Sequence, residues 1–259
     1  MKIILLCLSL VISPFSALSP DFSDSYFSYN EYKNFKKEDY DRLEKMRILN
    51  NYTHLETINI YYTQSFIKAK FPNHHLTLTN KFFKYESTPT SLVSIDEYKI
   101  MYPSILKTTK DGMLLDKETL HAYIKMIDEL SRYYDCMRNL YIFSGYRDLN
   151  YQKTIYDRSL DKSYVAYPGY SEHHTGLAID ISNLNFGLTK HFEDSQEFKI
   201  LSQECAKYGF ILRYQKDKID ITGYSYEPWH FRYVGVNNSL YMYKHNLTLE
   251  EYILQNFEL

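Results

Sequence analysis

The sequence predicts a chain of mixed helices and strands, on three observations: short apolar runs of period two, longer stretches with helical spacing between them, and capping residues where the helices should start. After Asp111-Gly112, the positions Leu120, Tyr123, Ile124, Ile127, Leu130 and Tyr134 follow helical spacing and predict an amphipathic helix packed on a core. Leu140-Tyr-Ile-Phe143 reads as a short strand broken by Ser144-Gly145, after which Asp148 caps a helix through Gln152 and Ile155. Arg147 therefore sits at a strand-to-helix corner, a place where side chains commonly face a cleft. Leu177, Ile179 and Ile181 alternate with Ala178 and Asp180, which puts the three apolar side chains on one face and Asp180 on the other. A helix carrying Phe198, Leu201, Cys205 and Tyr208 follows, closed by Gly209, and then a strand over Phe210-Ile-Leu-Arg-Tyr214. A further strand is predicted from Trp229 to Val234. Thr248-Leu-Glu-Glu251 is a capping-box pattern that starts a terminal helix through Tyr252, Ile253 and Phe257.

At 259 residues the chain can bury a full core, as one domain with an extension or as two small ones. A formal charge of -2 over 30 basic and 32 acidic residues leaves no basic stripe for neutralising phosphates, which argues against nucleic acid as a partner. The 28 tyrosines suit a wet groove and ordinary half-buried packing equally well. Met1-Lys2, the apolar run Ile3 to Ile12 and the small-residue stretch to Ser19 read as a secretory signal over residues 1–19, and predict an exported protein, extracellular or at the cell surface. The same stretch, residues 3–18, would serve an uncleaved membrane anchor. Cys7 lies too early in the run for a lipid anchor. Residues 20–105 form a polar, aromatic extension of open role, with a helix near Tyr40 to Ile48 and with His74-His75 in a turn-like context that reads as solvated. Cys136 and Cys205 are either bridged or two buried thiols, and their spacing decides neither.

The chemistry concentrates in Ser171-Glu-His173-His-Thr-Gly176-Leu-Ala178-Ile-Asp180 and the downstream Glu227-Pro-Trp-His230. Together they supply three metal-ligating side chains, His173, Asp180 and His230, and one further carboxylate, Glu227. A hydrolytic zinc site draws on the same inventory: three protein ligands, an open position for water, and a general base that does not bind the metal. His174 competes with His173, and since neighbouring side chains in an extended segment point to opposite sides, only one of the two should reach a metal. Ser159-Leu-Asp-Lys162 has SxxK spacing but lacks the companion motifs of serine-type enzymes, and no HExxH is present.

These residues resemble the VanY-type D-alanyl-D-alanine carboxypeptidases of the LAS zinc metallopeptidase superfamily. The family pattern Ser-x-His-x-x-Gly-x-Ala-x-Asp stands here as Ser171, His173, Gly176, Ala178 and Asp180, and Glu-x-Trp-His as Glu227, Trp229 and His230. Ser-Gly-Tyr-Arg followed by Gln stands as Ser144, Gly145, Tyr146, Arg147 and Gln152. The resemblance runs from about Leu114 to the C-terminus and selects His173 over His174. Where relatives usually continue Ser-Gly-Tyr-Arg with Ser, this chain has Asp148, whose charge beside Arg147 bears on substrate preference.

The resemblance implies an α+β, LAS-type fold with a small antiparallel sheet flanked by helices, as a catalytic domain over residues 106–259 after the N-terminal extension. It implies one Zn2+ per chain on His173, Asp180 and His230, with Glu227 as the base that becomes an acid for the leaving amine. Arg147 is implied to face the scissile carbonyl or the terminal carboxylate. Ser171 and Gln152 are implied to hold the substrate's end, with a loop-turn hydroxyl and an exposed helix amide as their alternatives, and Tyr146 and Trp229 to wall the pocket or belong to the core. The implied substrate is a peptidoglycan stem peptide losing its C-terminal D-alanine, through a D,D- or an L,D-bond. A peptidoglycan endopeptidase of the same superfamily and a non-catalytic zinc-stabilised wall-binding module are the alternatives; Glu227 argues against the module. A monomer is the expected state.

Overall fold

The period-two runs pair as their patterns require. In the computed structural model, which describes residues 75–256 apart from Phe82 and Glu86, they build one four-stranded antiparallel sheet. A ribbon comes first in the chain, β1 (Leu92–Ser94) against β2 (Leu114–Asp116), and the main sheet has the spatial order β3 (Leu140–Ser144), β4 (Ala178–Asn183), β6 (His230–Tyr233), β5 (Phe210–Leu212). The signal or anchor expected over residues 1–19, the helix near Tyr40 to Ile48, His74 and Phe257 lie outside the described residues.

Seven α-helical segments are described: α1 (Ile95–Lys99), α2 (Lys117–Leu130), α3 (Leu149–Arg158), α4 (Gln196–Glu204), α5 (Ile219–Thr222), α6 (Val236–His245) and α7 (Leu249–Asn256). Their caps are the ones the sequence offers. Asp116 accepts from the Thr119 amide, Asp148 from Tyr151 and Ser195 from Phe198, each satisfying an amide that the helix itself leaves open. At α7 the capping box closes both ways: the Thr248 amide donates to Glu251 and the Glu251 amide to Thr248 Oγ1, at 2.8 and 3.2 Å.

Three boundaries differ from the sequence reading. α2 ends at Leu130 and not at Tyr134, which is exposed, because the 3-10 turn Asp135–Asn139 brings Met137 into the core instead. β5 stops at Leu212, where Arg213 and Tyr214 turn towards buried partners described below. α6 has only Ser239 and Met242 buried, too thin an apolar stripe to show as a period in the sequence.

The sheet is covered on both faces. Ile142, Ile179, Ile181, Phe210 and Phe231 face a core filled by Leu120, Tyr123, Ile127 and Leu130 of α2 and by Phe198 and Leu201 of α4. On the opposite face a second cluster joins Ile211 and Val234 to Met242 of α6, to Leu249 and Ile253 of α7, and to Leu76, Leu78 and Phe83. Ile95 and Ile105 belong to the main core, so the packed body begins well before residue 106, where the catalytic unit was expected to start. The physical reason is simple apolar burial: residues that looked irregular in sequence supply side chains to both clusters. Cys136 and Cys205 are free thiols, half-buried and buried, which decides between the two alternatives. Among the described residues no helix is long and apolar enough to cross a membrane.

Tyr123 is fully buried and its hydroxyl has no hydrogen-bond partner. An unpaired buried hydroxyl is a standing cost, so Tyr123→Phe is expected to leave stability unchanged or raise it by about 1 kcal/mol. Urea unfolding of the two proteins checks this, and a loss of several kcal/mol would show that the hydroxyl has a partner.

Candidate metal centre

Register brings the centre together. Across the sheet, Ser144 of β3 stands opposite Asp180 of β4, and Asp180 opposite His230 of β6. Residues directly opposite in an antiparallel pair project from the same face, so the three side chains form one row. That face is the one Asp180 shares with Ala178, away from the apolar layer of Ile179 and Ile181, as the alternation in the sequence predicts. The third donor comes from the 3-10 turn Glu172–Thr175 just before β4. It is entered through Ser171, whose Oγ accepts from the His173 amide, and closed by Gly176 at φ 74°.

The donor atoms of His173, Asp180 and His230 all lie within 4.8 Å of one another, and all three residues are buried. His173 Nε2 is 3.2 Å from Asp180 Oδ2, and His230 Nδ1 is 3.0 Å from Asp180 Oδ1. The outward nitrogens are engaged elsewhere. His173 Nδ1 lies 2.7 Å from the carbonyl oxygen of Gly145, and His230 Nε2 lies 3.3 Å from Glu172 Oε2. Because both outer partners are acceptors, the ring protons are assigned to those nitrogens, which leaves lone pairs on the inner nitrogens aimed at a carboxylate. With both rings neutral, acceptor would face acceptor on both sides of Asp180; a shared cation relieves both contacts, and in the metal-free protein the Arg147 guanidinium and a second proton on His230 stand in its place. Two imidazoles and a carboxylate, with their outer partners in place, are the donor set that zinc takes.

Gly145 earns its place in Ser-Gly-Tyr-Arg by close approach: a Cβ there would lie 2.5 Å from the Leu114 carbonyl oxygen, where the Tyr146 amide bonds to β2. Arg147, the next corner residue, donates from Nε to Ser144 Oγ at 2.8 Å, from Nη1 to Gln152 Oε1 at 3.3 Å and from Nη2 to Asp180 Oδ2 at 2.6 Å. Asp148, beside it, is committed to the cap of α3.

Glu227 sits one turn before His230, buried, with Oε2 3.7 Å from His230 Nδ1. Burial pushes its carboxyl up to about 8; the nearby Asp180 and Glu172 carboxylates add to this, while His230 and Arg147 oppose it. Burial and the Arg147 guanidinium push His173 down to about 4, so its imidazole stays neutral and its inner lone pair is available. Burial also pulls His230 down, but the hydrogen bonds to Asp180 and Glu172 outweigh it and hold the ring up at about 9. In the metal-free protein a proton on His230 thus does part of what a cation would do.

With this geometry in view, the likeness to known proteins is specific. Residues 112–236 match the family described as VanY, D-alanyl-D-alanine carboxypeptidase. The bifunctional D-Ala-D-Ala dipeptidase and D-Ala-D-Ala carboxypeptidase VanXYC of Enterococcus gallinarum is 41% identical over 144 residues, 49% of this chain and 73% of the relative. The chain belongs to the VanY family. Among solved structures, the LD-carboxypeptidase LdcB is 37% identical at a TM-score of 0.60, with 71% of this chain and 87% of that one covered. The vancomycin-resistance D,D-pentapeptidase VanY, solved with Zn(II), is 29% identical at a TM-score of 0.51, with 69% of this chain and 98% of that one covered. Two further curated relatives are matched over less than half of their length, 43% and 45%.

Within this VanY-family chain the remaining sequence-derived residues have definite places. His174 donates from Nδ1 to the Arg147 carbonyl at 2.7 Å and accepts the Gly169 amide at Nε2 at 2.9 Å, so neither nitrogen is left for a metal. The turn is a 3-10 helix rather than extended, and the two histidines diverge for that reason. Gln152 is fully buried, not an exposed helix amide: Nε2 donates to the Ala166 carbonyl and Oε1 receives Arg147. Ser171 is buried and caps the turn. Trp229 packs in the main core, near Tyr164, and Tyr146 is half-buried. His75 lies away from the donor set, paired with Glu118 at 3.0 Å.

The sequence reading missed Glu172, Arg213, Arg232 and Glu250. All four are buried and joined: Glu172 Oε1 receives Arg213 Nε at 2.7 Å and Arg232 Nη1 at 3.0 Å, and Arg213 donates twice to Glu250 at 2.9 and 2.6 Å. A charge inside an apolar strand run, as in Phe210-Ile-Leu-Arg213 and Phe231-Arg232-Tyr233, was the available signal, because a buried guanidinium must have a partner.

Stability of the metal-free protein should depend on pH in a stated direction. Glu227 and His230 have folded pKa values above their unfolded ones, so the stability they contribute is lost as pH rises through about 8 and 9. His173 is neutral in both states above about 6.5 and adds no slope there. Melting temperatures in the presence of a chelator are expected to fall between pH 6.5 and 9, and Glu227→Gln to flatten part of the fall; a melting temperature that rises across this range would contradict the assignment.

Proposed function

We propose that this chain is a zinc-dependent carboxypeptidase that removes a C-terminal D-alanine from peptidoglycan stem peptides. The observation that carries the reading is a buried His173, Asp180 and His230 donor set with the buried carboxyl of Glu227 beside it and outside the set. A structural metal site has no use for such a carboxylate.

The residues to hold the metal are His173 through Nε2, Asp180, and His230 through Nδ1. Zinc bound there supplies Lewis acidity and lowers the pKa of its water to about 7. Glu227, buried beside the donor set but outside it, takes the proton of the attacking water and returns it to the departing D-alanine nitrogen. Arg147 is held by Ser144, Gln152 and Asp180, which presets its planar fork, and the N–H groups left on its two terminal nitrogens are the ones to grip the substrate's carbonyl or terminal carboxylate oxygens. Gln152 acts through Arg147, and the Ser171 hydroxyl shapes the turn that carries His173. Residues 1–19 would export the chain to where stem peptides are found, outside the cell or at its surface.

Mass spectrometry of the zinc-loaded chain with stem pentapeptide and tetrapeptide tests this. Loss of one alanine is expected, and the peptide that loses it identifies the bond; two peptide fragments would instead assign an endopeptidase. Glu227→Gln is expected to lower kcat by about 10²–10⁴-fold. Arg147→Ala is expected to lower kcat/KM by about 10²–10³-fold while zinc stays bound, which metal analysis of the purified variant checks.

A further inference from the structure

The buried carboxylate of Glu172 is unused by the mechanism, yet it touches a ligand of the proposed metal. Its two oxygens have separate tasks. Oε1 is fixed by Arg213 Nε and Arg232 Nη1, and Oε2 lies 3.3 Å from His230 Nε2. Arg213 is fixed in turn by the two hydrogen bonds it donates to Glu250, and Arg232 by those it donates to the carbonyl oxygens of His75 and Thr77 at 3.0 and 2.8 Å. The carboxylate cannot rotate without breaking one of these contacts. Two carboxylates and two guanidiniums balance, and none of the four is solvated. Buried ion pairs are often no more stabilising than apolar residues of similar volume, so stability alone does not account for the arrangement.

We propose that Glu172 is a positioning residue whose Oε2 accepts the hydrogen bond from His230 Nε2–H and so fixes the tautomer and ring angle that present Nδ1 to the metal. This rests on the reading of His173, Asp180 and His230 as a zinc site. The same 3-10 turn carries His173, so one turn supplies one ligand and orients another. Second partners of this kind set ligand basicity and metal affinity, by about 10–100-fold.

Glu172→Gln separates positioning from bracing. Glutamine keeps an oxygen for the two guanidiniums, but its amide donates where the carboxylate accepted. His230 must then accept at Nε2, and its Nδ1 carries the proton towards Asp180. Zinc affinity by chelator competition is expected to fall about 10–100-fold, with an altered cobalt(II) spectrum, while the melting temperature of the metal-free protein falls as it does in Glu250→Gln, since both variants lose a buried negative charge beside Arg213. Glu250→Gln is the control: it weakens the same cluster without touching His230, and is expected to lower the melting temperature while zinc affinity changes by less than about threefold. Unchanged affinity in Glu172→Gln overturns the proposal, as does a loss in both variants that follows their melting temperatures. Ring-nitrogen NMR of the zinc-loaded wild type gives a test free of any variant, since metal on Nε2 of His230 would also overturn it. A wild-type chain that binds no zinc at these residues overturns this proposal together with the zinc site, whereas zinc binding indifferent to Glu172 overturns this one alone.

Discussion

Two buried guanidiniums held between two buried carboxylates are the constraint on which the rest of the structure depends. Arg213 leaves β5, Arg232 belongs to β6, Glu172 to the turn before β4 and Glu250 to the first turn of α7, so the cluster ties sheet, turn and terminal helix at one point. Asn80 joins from the segment ahead of β1, donating to Glu250 at 3.2 Å. Removing one member of such a set strands an opposite charge out of water, at about 3–5 kcal/mol, which is a large part of a domain's net stability. Each member is therefore tolerated only because the others are in place. The elements that bear the candidate metal ligands are held by the same set.

Much of this was legible in the sequence, for physical reasons that can be named. Alternation placed Asp180 opposite Ile179 and Ile181, and the strand pairing keeps that assignment. Caps at Asp148 and Thr248 announced α3 and α7, because a side chain that satisfies an open amide is a local effect. The donor set was legible because its residue types and spacing are rare in combination. The buried cluster was not, since Arg213 and Glu250 are 37 residues apart, and nothing local distinguishes a paired arginine from a solvated one. β1, β2 and α1 were missed for a related reason: they are three to five residues long and stabilised by what they pack on.

The centre itself shows a division of labour between rigid and adaptable parts. Asp180 and His230 sit on paired strands, where backbone bonds fix them, and His173 sits on a short turn fixed by side-chain contacts at both ends. Arg147 is at a corner and half-buried, so it is the one of these groups that keeps some contact with solvent. Gln152, buried behind it, converts a flexible guanidinium into one with a preferred direction.

The pairing of Asp180 with His230 has a further consequence for how the chain reaches its native state. Side chains alternate with a period of two, so a slip of one residue between β4 and β6 would turn Asp180 into the apolar layer and carry Ile179 or Ile181 towards the charged face. The donor set exists in one register alone. A metal ion captured at this donor set would thus certify correct strand pairing: a misaligned sheet offers a cation two scattered histidines and no Asp180 between them.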